Sequence, residues 1–479
     1  MIAGERSSIW RSATLWTWAS TGARVLAIGS TLPVVATAFP DNEAALWYLF
    51  LTIASLQLVA DLSFSSVFGR FVAYAVGGAQ SLGDQKIPES AATSRGPNVA
   101  LLHAIYATSH PVYAFVVAAW IIGAGAFGAW SAGDLIREAQ QPAAAAIALG
   151  AVVAATGARL YSNRYTAILF GLSEFFVWRR FEAFAWLTAT VLGVACVLRG
   201  YGLLVLTVVF FGCVAGSCVM YRVLALRSLL RLGGIGDVQS VDRDVLQEVL
   251  PRAWRGGIGV LLHVGTMHAL TASVARLEPA ATAASYLLAY NVARAIDQLA
   301  QAPFYTKLPV LSRLRAQGSD GVRTLAASGM RSTYWVLAIG LSAVALTAEP
   351  VLGAIGSNTR FVDGSIWAVL AASMFFERYG ATHLQAFMTT NRVVVHVANG
   401  IAGFIMLGLA FPLYRQLGLV GIPLAGLIAN ALWYAPYGAA KSRSVIGGDV
   451  LRFEARTSLG PAALLVVSLV VSALVYSPS

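Results

Sequence analysis

Six arginines, Arg24, Arg70, Arg159, Arg164, Arg294 and Arg378, fall inside long apolar segments of this chain. An ionised side chain near the middle of a bilayer costs at least about 2.5 kcal/mol on insertion scales, so each must meet an anion, a carbonyl or water. Guanidinium is a planar fork of donors that fits phosphate or carboxylate, which an ammonium does not reproduce. The stretch LAYNVARAIDQ, from Leu288 to Gln298, shows the pattern. Residues three, four and seven apart share a helix face. Asn291, Arg294, Gln298, Gln301 and Tyr305 therefore form one polar stripe, with Asp297 at its edge. Thr17, Ser20, Thr21, Arg24 and Thr31 form another, and Thr156, Arg159, Asn163, Thr166 and Ser173 a third. Arg378, Thr382, Gln385 and Thr389 make a fourth, from which Glu377 points away. Stripes of this kind predict a water-filled cavity lined with positive charge.

Carboxylates in mid-span are few, chiefly Asp61, Asp297 and Glu377. Positive charge is then in excess, and an anionic ligand would balance it. The alternative is that each Arg is tied up by a local partner, as Arg294 by Asp297. Asp61 and Arg70 lie nine residues apart, on opposite sides of a regular helix, so Arg70 is expected near the helix end with its side chain snorkelling to the interface.

Helices must position these groups. The 479 residues are 58% hydrophobic and 11% charged, the composition of an integral membrane protein. Windows of about 20 apolar residues, enough for a core about 30 Å thick, recur throughout. They predict spans at 12–38, 44–78, 99–130, 142–172, 178–198 and 202–226, then, after a polar linker, at 250–276, 282–306, 328–354, 364–389, 393–414 and 418–440. A final run at 459–476 predicts one more. The expected fold is an all-α membrane bundle of two six-helix lobes around a central cavity. The lobes cover 1–235 and 236–440, and a basic segment with an extra helix covers 441–479. The run from Ser12 to Phe39 is too long for a signal-peptide core and is interrupted by Arg24, so it reads as a retained span.

Net charge is +11, yet the basic residues cluster in loops on one side, leaving Arg137, Arg199, Arg276, Arg360 and Arg415 on the other. That asymmetry places the amino terminus in the cytoplasm and explains the charge without nucleic acid. The run GAGAFG, Gly123 to Gly128, follows no strand and reads as small residues for helix packing rather than a nucleotide loop. His103 with His110, and His263 with His268, are too few for a metal site. Neither a metal nor a cofactor is expected. Cys196, Cys213 and Cys218 read as buried thiols.

Several segments resemble the multidrug/oligosaccharidyl-lipid/polysaccharide (MOP) exporter superfamily, in its branch of lipid-linked oligosaccharide flippases. They are ADLSFSSVFGRFVAYAVGGA from Ala60, TAILFGLSEFFVWRR from Thr166, ASYLLAYNVARAI with YTKLPVLSRLRAQG, and TTNRVVVHVANG with LGLVGIPLAGLIAN. The insert DQKIPESAATSRGPN and the run after Leu459 depart from the pattern. The resemblance implies an inverted-V bundle in a bacterial cytoplasmic membrane. It also implies a carrier, rather than an enzyme, that moves an undecaprenyl-pyrophosphate-linked oligosaccharide by alternating access, with proton or cation coupling through Asp61, Asp297 or Glu377. Under that reading Arg24, Arg159, Arg294 and Arg378, with Arg70 ranked behind them, contact the pyrophosphate, and Asn163, Asn291 and Gln298 face sugar hydroxyls. A monomer is expected. A multidrug-cation antiporter of the same superfamily and a membrane glycosyltransferase or polymerase remain as alternatives.

Overall fold

The structure is a computed structural model that describes residues 12–83, 96–233, 241–317, 321–354, 360–447 and 449–475. Every element among the described residues is helical. In chain order they are α1 (Ala13–Ala38), α2 (Asp41–Ala60), α3 (Phe64–Val76), α4 (Val99–Glu138), α5 (Pro142–Gly171), α6 (Phe175–Leu198), α7 (Leu203–Arg231) and α8 (Arg243–Leu277). There follow α9 (Ala280–Tyr305), α10 (Leu308–Ala316), α11 (Gly321–Ala354), α12 (Gly364–Met388), α13 (Val395–Leu417), α14 (Gly421–Ala429), α15 (Ala435–Ile446), α16 (Val450–Thr457) and α17 (Leu459–Val475). Two compact units form, one ending at Ala253 and the other beginning at Trp254, within α8.

Six helical segments among the described residues are long and apolar enough to cross a membrane: α4, α5, α6, α7, α11 and Val395–Ile446. Together with α16 and α17, which meet at a 52° bend, they make a multi-pass membrane protein. Large apolar side chains stay exposed along these helices, Phe115 at 76%, Ile122 at 73% and Phe404 at 81%. Water would penalise such surfaces, whereas acyl chains accept them. The helix after Leu459 packs along α11, where Ser468 Oγ donates to Ser342 Oγ at 2.7 Å and Ser472 Oγ to the Ala345 carbonyl at 2.7 Å. A short hydroxyl in an apolar helix is satisfied most cheaply by a neighbouring helix.

The span expected at 44–78 is not one regular helix. It breaks at Asp61–Ser63, where Leu62 and Ser63 take φ of 45° and 64°. That left-handed conformation disfavours residues with a Cβ, and the Asp61 carboxylate offsets it by accepting from the Ser65 N–H at 3.1 Å and its hydroxyl at 2.6 Å. The expectation that Arg70 snorkels is overturned too. Its side chain is buried in α3 and donates to Ser66 Oγ at 2.9 Å, because the break keeps α3 packed against α5.

Close helix approaches hold the site-bearing helices. A Cβ on Gly171 of α5 would lie 2.5 Å from Val72 Cβ and 2.6 Å from the Gly69 carbonyl of α3. One on Gly438 of α15 would lie 2.7 Å from the Gly380 carbonyl of α12. In the run GAGAFG, by contrast, Gly123 and Gly125 face open space, and only Gly128 packs, against Leu149 and Ile53.

Candidate functional site

In the first unit the charged side chains gather around Glu182, two turns into α6. Its Oε1 accepts from Arg159 Nη2 at 2.7 Å, and its Oε2 from Arg179 Nη1 and Ser20 Oγ, each at 2.6 Å. α1 packs along α6 and thereby brings Ser20 to the carboxylate and Arg24 within its electrostatic reach, together with Arg159 and Arg179. Among the described residues no hydrogen bond or ion pair engages the Arg24 guanidinium. The cluster therefore sets the guanidiniums of Arg24, Arg159 and Arg179 against a single carboxylate. Aromatic faces flank it, with the Arg159 guanidinium 5.3 Å from the Trp186 ring centroid and that of Arg179 4.2 Å from Trp178. Cations held against rings stay oriented without being neutralised.

One turn further along the α5 stripe, Asn163 Nδ2 donates to Asp61 Oδ1 at 2.8 Å, and the Tyr113 hydroxyl reaches the same oxygen at 3.3 Å. Asp61 is buried, and among the described residues no cation pairs with it; all its contacts are neutral donors. Helix spacing on α5 thus carries one polar row from Glu182 to Asp61. Arg164 points off that row. It is buried, donates to Ser109 Oγ at 3.2 Å, the Tyr161 hydroxyl at 2.8 Å and the Tyr106 carbonyl at 3.1 Å, and lies against the rings of Tyr106, Tyr161 and Tyr165. Its donors are spent within the fold.

In the second unit the acids and bases pair differently from the sequence expectation. Arg294 does not pair with Asp297 on its own helix, and Glu377 does not point away. Arg294 Nη1 and Nη2 reach Glu377 Oε1 and Oε2 at 2.6 and 3.2 Å, while Arg378 Nε and Nη2 fork onto Asp297 at 2.7 and 2.5 Å. α9 and α12 pack side by side, so two crossed pairs link them. Forked pairs satisfy the buried lone pairs better than a bent local contact would. Arg294 also donates to the Tyr290 hydroxyl at 3.0 Å and to Met267 Sδ at 2.7 Å. His263 Nε2 of α8 stands 3.7 Å from Glu377 Oε1. With His263 neutral this quartet carries no net charge, so the surplus of arginine expected from the sequence is concentrated in the first unit. Asn291 and Gln298 are exposed on α9, and the Asn291 amide donates to the Leu287 carbonyl at 2.8 Å.

Glu182, Arg179, Tyr113, Met267 and His263 were not among the expected site residues. The signal for the first two was present, since Arg179 and Glu182 stand three apart in FFVWRRFEAF, an ion-pair spacing, but at the very start of the span expected at 178–198 Arg179 reads as a loop cation. His263 and Met267 share a face of α8 by the same spacing, yet nothing in one helix names the partner on another.

No protein-family model matches the sequence, and no curated protein matches it either. Solved structures do share the fold. A mutant MATE transporter aligns with a TM-score of 0.69 at 11% identity, over 93% of this chain and 98% of that one. An outward-facing multidrug resistance MATE family transporter of the MOP superfamily aligns at 0.64 and 12%, over 92% and 99%. A MOP superfamily transporter from Pyrococcus furiosus, described by the reverse polarity of its binding pocket, aligns at 0.64 and 12%, over 93% and 100%. The fold of this chain is that of the MATE transporters of the MOP superfamily.

Proposed function

We propose that this protein is a membrane carrier that moves an undecaprenyl-pyrophosphate-linked oligosaccharide across a bacterial cytoplasmic membrane by alternating access, its phosphates held by Arg24, Arg159 and Arg179. The observation that carries the reading is the set of three guanidiniums around the one carboxylate of Glu182. A doubly charged diphosphate would balance that surplus, and the unengaged Arg24 fork offers it a bidentate contact. Asn163 and, on the second unit, Asn291 and Gln298 are available to sugar hydroxyls. Arg294 and Arg378 take a headgroup only in a conformation that opens their forks, and the buried Arg70 stays secondary. Asp61, Asp297 and Glu377 are the groups for proton or cation coupling. The lobes at 1–235 and 236–440, a monomer and a cytoplasmic amino terminus complete the proposal.

A specific observation also favours multidrug-cation antiport: Asp61 is a buried carboxylate with no cation beside it among the described residues. One fold neighbour is a multidrug resistance transporter. Proteoliposomes separate the readings. Flipping of a fluorescent diphosphate-linked oligosaccharide by the wild type, and a fall of roughly tenfold in Arg24→Gln and Arg159→Gln, equal to about 1.4 kcal/mol, supports the first. Absence of flipping together with proton-driven efflux of an organic cation, lost in Asp61→Asn, replaces it with the second.

A further inference from the structure

The second unit's quartet is neutral, so as it stands it has no attraction for an anion. One titratable group at its margin can change that. His263 projects from α8 with 36% of its side chain exposed, against 17% for Arg294 and 12% for Glu377, so it is the least enclosed of the three. Its Nε2 lies 3.7 Å from Glu377 Oε1, the same oxygen that accepts from Arg294 Nη1 at 2.6 Å. We propose that His263, Arg294 and Glu377 form a second binding site, for a phosphate- or sulfate-type anion, that fills only when His263 carries a proton.

The chemistry follows from charge and shared acceptors. A proton on His263 gives the quartet a net positive charge and makes Nε2–H a competing donor for Glu377 Oε1. As the imidazolium takes one lone pair of that oxygen and shares its charge, the hold of Glu377 on Arg294 Nη1 weakens. The Arg294 guanidinium is then less fully neutralised beside a new positive charge, and an oxyanion can accept from it. Binding a proton and binding the anion therefore favour each other, and linkage requires the coupling to be equal in both directions.

The other charged groups around His263 do not cancel this. α12 brings Glu377 and Arg378, and α9 brings Arg294, Asp297 and Tyr290; Arg378 and Asp297 neutralise each other by their fork. α13 packs on α8 one turn away, where His396 lies against Gly259. Arg255 on α8 lies near His396 rather than Glu377. The second site stands whichever molecule the first unit's arginines hold.

The test uses the full chain in nanodiscs, with inorganic sulfate as probe because its charge is constant through neutral pH. Binding is measured at about pH 5 and about pH 8, the ends of the range in which histidine changes charge. The site predicts sulfate affinity at least about fivefold tighter at the lower pH, with net proton uptake on binding. His263→Gln should bind at the weak level at both pH values without proton uptake. Arg294→Gln should lose the same low-pH gain, while Arg159→Gln, on the first unit, should keep it. A loss of sulfate binding in anionic relative to zwitterionic nanodiscs that exceeds the loss in His263→Gln, which reports surface charge alone, identifies a lipid headgroup as the natural occupant, and an equal loss identifies a soluble anion. Wild-type affinity independent of pH, or a full low-pH gain with proton uptake in His263→Gln, overturns the proposal. Should Arg294→Gln fail to fold, proton uptake in wild type against His263→Gln decides alone.

Discussion

Replacing Glu182 by Gln puts the charge account of the first unit under direct strain. The carboxylate accepts from Arg159 at 2.7 Å and from Arg179 and Ser20 at 2.6 Å, and only 8% of its side chain is exposed. Removing one partner from a buried pair costs about 3–5 kcal/mol, chiefly because the remaining charge is left unmatched. Arg159 and Arg179 keep 22% and 20% of their side-chain surface exposed, which screens them and argues for the lower end, about 3 kcal/mol. The Gln carbonyl can still accept one hydrogen bond, restoring about 1 kcal/mol. The variant should thus be destabilised by about 2 kcal/mol. An anion that enters the widened surplus should reverse this, since a ligand at one hundred times its Kd stabilises by about 2.7 kcal/mol. Thermal unfolding in detergent, with and without inorganic pyrophosphate, reads both numbers. Glu182→Gln should start below wild type and gain more from pyrophosphate than wild type does. A variant as stable as wild type without anion, or one that pyrophosphate does not favour, refutes the reasoning.

In the second unit, Arg294→Ala should abolish flipping while Arg294→Lys restores it only in part, because an ammonium cannot make the forked contact to Glu377; full flipping by the Ala variant at equal protein level removes Arg294 from the mechanism. The Arg294→Gln, Glu377→Gln double variant should be destabilised by less than the sum of the two single variants, with a coupling of about 2 kcal/mol in a double-mutant cycle read by unfolding. Asp61→Asn should keep the fold, since Ser65, Asn163 and Tyr113 can still bond the amide, but make transport insensitive to an imposed pH gradient; unchanged gradient dependence in Asp61→Asn, Asp297→Asn and Glu377→Gln alike excludes proton coupling through these acids. Gly171→Ala, whose Cβ would meet Val72 and the Gly69 carbonyl, should cost about 1–3 kcal/mol or more, whereas Gly123→Ala should be neutral or stabilising in the same unfolding assay.

The helices were legible because each buries or faces lipid along an apolar run of the right length. α1, α5, α9 and α12 begin and end within a few residues of their expected limits. The interruption of α2 at Asp61 was not, since no Gly or Pro marks it. The left-handed Leu62 and Ser63 are held by a side-chain contact from Asp61 to Ser65 that forms only in the folded turn. Arg159 and Asn163 of the expected α5 stripe lie on one row, whereas Thr156 bonds Trp120 and Ser173 falls past the helix end; the meeting point at Glu182 was not legible because its partners Ser20 and Arg159 come from other helices. Pairing was the least legible feature. Spacing on α9 allows Arg294 to meet Asp297, and only the packing of α12 decides that Arg294 takes Glu377 and Asp297 takes Arg378.

The most direct measurement is pyrophosphate binding to purified wild type and Arg24→Gln at one fixed pH, by calorimetry. Arg24 makes no hydrogen bond among the described residues, so its loss should leave unfolding unchanged and report on the anion alone. Binding in the wild type, weakened roughly tenfold in Arg24→Gln, is the outcome expected of an uncompensated guanidinium beside Glu182. Equal binding in both proteins, or none in either, contradicts it.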